Sequence, residues 1–183
     1  GVLAAAREPV PAALAAQVLQ VVEGDVKAVH RLLPDFLRQR GSERALTFDH
    51  FSLAEWLTRE KDEGFARAGY YAVDAVASRA AWRRWALQQV EAGTAHLSAY
   101  LLRHLPAHLA DDAERQRVCG PLLTEHFEWL QARLDKAGVD ALLGDARALQ
   151  TAPGIGLLAA VLRNGANALR RGPEQLAGQV LGR

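Results

Sequence analysis

Apolar positions along most of this chain return every three or four residues and only one short stretch alternates in twos, so helices dominate the expected architecture. Pro11 suits the first turn of a helix that runs to about Leu19. Asp25 has the side chain to cap a second helix, which ends near Leu33 because Pro34 disfavours its continuation. Phe36 to Arg40 and Ala45 to His50 alternate around the turn Gly41-Ser42-Glu43-Arg44, with Leu46, Phe48 and His50 on one face, which predicts a β-hairpin. Ser52-Leu53-Ala54-Glu55 then has the spacing of a capping box, in which hydroxyl and carboxylate each satisfy a backbone N–H of a first helical turn. Leu53, Trp56 and Leu57 share one face of that helix.

Helix, helix, hairpin, helix is the order of a winged-helix unit, whose two strands cover the open end of a small helical core, and it is placed at residues 1–59. The stretch Arg59 to Gly69 is charged and carries Gly64, as a solvated connection does, so a domain boundary is expected there. Beyond it, helical patterns run at about Asp74 to Val90, Thr94 to Ala110, Asp112 to Cys119, Thr124 to Lys136, Asp140 to Gln150, Gly154 to Arg170 and Pro173 to Leu181. Leu97, Leu101, Leu105 and Leu109 form one apolar stripe, and Phe127, Leu130 and Leu134 another. The expected fold is therefore mainly α: the winged helix, then an antiparallel helical bundle or solenoid-like arm over residues 60–183, without a repeat of fixed period.

With 183 residues and half of them apolar, the chain is long enough for a real core and far from disorder. A net charge of +1 supplies no long-range field that would recruit nucleic acid or an anionic membrane non-specifically. Cys119 is the single cysteine, which excludes an internal disulfide and a zinc site built on thiolates, and a reducing, cytoplasmic setting fits. No apolar run approaches the roughly 20 residues of a membrane span. The chain has no methionine and opens at Val2 to Ala6 as though partway through a helix, so it reads as a fragment of a longer protein.

Several residues invite a chemical reading. His104 and His108 stand four apart on a helix, with His96 two turns earlier, a spacing that lets imidazoles meet one zinc ion. No Glu follows His104 as in a metalloprotease, and Pro106 distorts the helix between them, so packing or surface histidines are the better reading. Gly154 and Gly156 precede a helix without the Lys-Ser/Thr of a phosphate loop, and read as a helix-start turn. Cys119 has no base partner in sequence, so an idle buried thiol outweighs a nucleophile. Asp111-Asp112 looks like a helix cap. Trp56, Trp82, Trp85 and Trp129 suit interior packing better than a partner-binding surface. Lys27, His30 and Arg31 on the second helix, with Arg38, Arg40 and Arg44 on the hairpin, are candidate DNA phosphate contacts. Glu23, Asp25, Asp35, Glu43 and Asp49 interleave with them and repel a phosphate backbone.

The run Leu46-Thr47-Phe48-Asp49-His50-Phe51-Ser52-Leu53-Ala54-Glu55-Trp56-Leu57-Thr58 resembles the end of the winged helix in STAND-class signalling ATPases, the relatives of apoptotic protease-activating factor. Tyr100-Leu101-Leu102-Arg103-His104-Leu105-Pro106-Ala107-His108-Leu109 and Phe127-Glu128-Trp129-Leu130-Gln131-Ala132-Arg133-Leu134 resemble the helical arm of bacterial members with WD repeats. Gly172-Pro173-Glu174-Gln175-Leu176 to Arg183 is similar to the helix before their propeller, and Leu3 to Pro11 to the segment that opens the region. No one motif is diagnostic; the ordered set is what carries the resemblance.

The resemblance implies an ATP-binding NACHT or NB-ARC module before this region, a ligand-sensing WD-repeat propeller after it, and ADP or ATP with magnesium as cofactors of the parent protein rather than of this stretch. It also implies that His50 touches the phosphates of bound ADP and helps to lock a resting state, with oligomerisation on activation. Phe51 follows His50 where relatives commonly carry Asp, so the accompanying Asp contacts do not carry over with the resemblance, and a histidine that merely closes a strand is the plain alternative. By this reading the chain is not an enzyme by itself and the hinge is the stretch Arg59 to Gly69. The rival classes are a winged-helix DNA-binding regulator with a helical dimerisation domain and a helical protein-interaction scaffold. A gel shift with duplex DNA over a salt series separates the first rival: no salt-dependent retardation is expected, whereas retardation that weakens steeply with salt marks a DNA reader.

Overall fold

A computed structural model describes residues 1–50, 53, 73–94 and 97–182. It is mainly helical, with one small two-stranded antiparallel sheet. The chain divides into two compact units, Gly1–Trp85 and Ala86–Arg183. The helix expected from Ser52 onward lies outside the described residues apart from Leu53, as does the boundary expected near residue 60.

In the first unit α1 (Val2–Ala5) is followed by α2 (Ala12–Leu19), α3 (Glu23–Leu32), β1 (Leu37–Arg40) and β2 (Ala45–Phe48). Pro11 takes the N-cap of α2 at φ −55°, ready for the helix it precedes. α2 stops at Gln20, which adopts left-handed geometry at φ 58° while the Val21 N–H donates to Ala16 O at 3.0 Å. α3 corrects one expectation: it starts at Glu23 behind Val22, so Asp25 stands inside the first turn and is not the cap. The two carboxylates of that turn favour the exposed N–H groups through the helix dipole, and Glu23 also holds Lys27 at 2.6 Å one turn on.

The hairpin forms as its alternation requires. Leu37 faces Phe48 and Arg40 faces Ala45, across a turn in which Gly41 and Arg44 both have positive φ. An additional strand-like contact appears that patterning does not reveal: Val10 exchanges both backbone hydrogen bonds with Leu46, at 2.9 and 2.7 Å. Val10 and Leu46 are consequently among the most buried residues of the unit. α4 (Ala75–Ala92) is capped by Asp74, whose Oδ1 accepts from Ala77 N at 2.8 Å. Within the first unit its Trp82 is fully buried and donates Nε1–H to Val2 O at 2.9 Å, which ties α4 to α1.

The second unit contains α5 (Ala99–His108), α6 (Asp112–Thr124), α7 (Phe127–Ala137), α8 (Val139–Ala148), α9 (Ile155–Arg171), a 3-10 turn (Pro173–Gln175) and α10 (Leu176–Leu181). α5 begins later than the periodicity suggests because Ser98 caps it, accepting from Leu101 N at 3.3 Å. Asp111 caps α6 as read, and Glu114 reaches back to Ala110 N at 2.8 Å, a reciprocal arrangement close to a capping box. α6 then overrides the stop expected at Gly120-Pro121 and continues to Thr124. The helix is retained because Leu122 and Leu123 bury almost completely.

α7 and α8 are joined by the single residue Gly138, whose φ of +82° is one that a residue with a Cβ rarely adopts. The stripe Leu97, Leu101, Leu105 and Leu109 is buried throughout. The stripe on α7 is different: Leu130 and Leu134 are buried with Trp129 and Arg133, and Phe127 is 44% exposed at the edge of that face. The final expected helix is two elements, since Pro173 opens a 3-10 turn before α10.

The tightest polar node of this unit surrounds Arg133 on α7, which is 2% exposed. Pro106 in α5 has no N–H to offer Leu102 O one turn earlier, and the Arg133 guanidinium donates to that orphaned carbonyl. Arg133 Nε also donates to Asp145 Oδ2 of α8 at 2.5 Å, and the guanidinium lies 5.6 Å from the Trp129 ring centroid. From α6, Arg115 Nε donates to Pro106 O at 3.0 Å. Burial pushes the Asp145 carboxyl above the usual carboxylate range, and the charge and hydrogen bond of Arg133 oppose that rise.

Removing one member of a buried pair leaves the other unpaired, so Arg133→Met is expected to cost about 3–5 kcal/mol in urea denaturation followed by far-ultraviolet circular dichroism. The double variant Arg133→Met with Asp145→Leu is expected to lose clearly less than the sum of the two single losses; strict additivity would mean that the pair is not coupled. Asp111→Ala, which removes only a cap, is expected to cost about 1 kcal/mol by the same measurement.

Candidate functional site

The hairpin positions the residue that the sequence singles out. β2 ends at Phe48, and Asp49 N still donates to Phe36 O at 3.0 Å, which keeps the chain beside its partner strand for one residue more. His50 then emerges on a bend with its side chain 79% exposed. Asp49 is mostly covered, its side chain 16% exposed, and its carboxylate pairs with Arg38 Nε on β1. Arg38 faces Thr47 in the register, so Asp49 is its diagonal neighbour across the strands. His50 Nε2 lies 3.5 Å from Asp49 Oδ2, an ion-pair distance when the ring is protonated.

Three side chains thus meet at the foot of the hairpin: Arg38, Asp49 and His50. The Arg38 guanidinium offsets the Asp49 charge that would otherwise repel an anion near His50. The exposed imidazole is open to an anionic oxygen, to which an N–H can donate. That is compatible with a single phosphate contact and does not form a cradle. The pairing of Arg38 and Asp49 is a structural detail that sequence reasoning missed by assigning both only to the DNA question. Its signal was available in the turn length, which sets the register and puts the two on a diagonal.

The other candidates resolve into packing. His108 is buried and its Nε2 lies 2.9 Å from Tyr100 Oη, with the rings stacked at 24° and 5.6 Å between centroids. His104 lies 5.0 Å from the same tyrosine ring, so the two imidazoles sit against one aromatic side chain on α5. His96 lies outside the described residues, and among the described residues no three metal-ligating side chains converge. Gly154 has φ +79° at the start of α9, as a helix-start turn requires. Trp82, Trp85 and Trp129 are all buried, the first two packed edge to face at 5.6 Å, and Trp56 lies outside the described residues. Among the described residues no helix is long and apolar enough to cross a membrane.

A cavity of about 1000 Å³ opens within the first unit. Its walls are almost entirely apolar, drawn from α1, α2, α3, the hairpin and the start of α4, with Asp25, Asp74 and Ser78 as polar members. Among the described residues its lining is that of an apolar contact surface.

Cys119 is 1% exposed on α6, and burial, reinforced by the nearby Asp145 charge and opposed by Arg133 and Arg115, pushes its thiol up to about 12. It is therefore protonated near neutral pH and a poor nucleophile. Comparison of the chain with known proteins matches no family model, no curated protein and no solved structure.

The buried thiol gives a direct test. At pH 8 the folded protein is expected to react with a chromogenic disulfide reagent far more slowly than the urea-unfolded chain, and equal rates would contradict the burial. Because the folded value is raised from about 9, the stability this group contributes is fully present below pH 9 and is lost as pH climbs towards 12. The loss between those limits is expected to be smaller in Cys119→Ala, as read from urea midpoints across that window.

Proposed function

We propose that this chain is the regulatory and coupling segment of a STAND-type signal-transduction ATPase, linking the nucleotide state of a nucleotide-binding module to a C-terminal ligand sensor. Residues 1–59 act as the clamp on the ADP state and the helices that follow pass on the sensor's signal. The observation that carries this reading is the exposed His50, presented by a hairpin that follows two short helices and held beside the Arg38 and Asp49 pair. The ordered sequence resemblance supports it along the rest of the chain. Such a role needs two packings that differ in affinity for ADP and ATP, since a ligand shifts an equilibrium only through differential binding. The pairing of Arg38 with Asp49 and of Lys27 with Glu23 takes two cations away from the DNA-reading alternative.

The test is His50→Ala in the full-length protein. Loss of a hydrogen bond to a charged phosphate is worth about 1.5–3 kcal/mol, so ADP should be held roughly 10- to 100-fold more weakly, with a rise in spontaneous signalling. Unchanged ADP retention alongside an unaltered melting temperature would remove His50 from the nucleotide contact. The isolated chain is expected to show weak or undetectable ADP binding by calorimetry, because one exposed imidazole does not enclose a nucleotide.

A further inference from the structure

We draw no further inference here: the strongest candidate, the apolar cavity of the first unit between α2, α3 and the hairpin, is also walled by Leu53 and Val73, which flank a stretch outside the described residues, and nothing in the structure shows what covers it.

Discussion

The second unit is organised around a proline that breaks a hydrogen bond and an arginine that replaces it. Pro106 leaves Leu102 O without its helical donor inside a buried layer, where an unsatisfied carbonyl costs on the order of 1–3 kcal/mol. Arg133 supplies the donor, and a guanidinium in that position is itself tolerable only with a counter-charge, which Asp145 provides. One local defect in α5 thereby specifies a cation on α7 and an anion on α8. Arg115 completes the arrangement by donating to Pro106 O. Hydrophobic burial supplies the bulk of the stability, through residues such as Leu101, Leu142, Leu162 and Leu169, all fully covered. The polar node instead selects the register in which those leucines meet, because a slipped helix would strand a buried charge.

The first unit is built on a different balance. Its core is small, centred on Val10, Leu37, Leu46 and the Trp82 and Trp85 pair, and α3 buries no residue completely. Val22 is 71% exposed and Leu32 79%, and Phe36 is half exposed. An apolar surface of this kind, beside a largely apolar cavity, is more than a scattering of single exposed side chains. The described part of the unit therefore has the physical character of a surface suited to apolar contact.

The coupling role proposed for the chain rests on the hairpin. An exposed imidazole near the end of a strand is cheap to present and easy to engage, and the neighbouring Arg38 and Asp49 pair holds that end of the hairpin across both strands. Control through such a contact requires little energy: a difference of 1.4 kcal/mol between two states changes their ratio tenfold. The histidines on α5 contrast with it. They sit against Tyr100, and their interest is in packing.

Local patterning was sufficient for most of the helices, the hairpin and the Asp111 cap, because three- and four-residue periodicity, Asp111 and the Gly41 turn act over a few residues. His50 stood out through the family resemblance and not through patterning, and neither pointed to its closeness to Asp49. What only the tertiary structure decided involves groups far apart in sequence. Val10 joins the sheet across 36 positions, Trp82 bonds Val2 across 80, and α6 persists through Gly120-Pro121 because its following leucines are buried. Arg133 looks like an ordinary surface cation in a helix of mixed charge until a proline in another helix leaves a carbonyl for it. Periodicity reports which face of an element is apolar; it carries no record of which distant polar group will lack a partner, and that shortage determined where the buried charges of this protein lie.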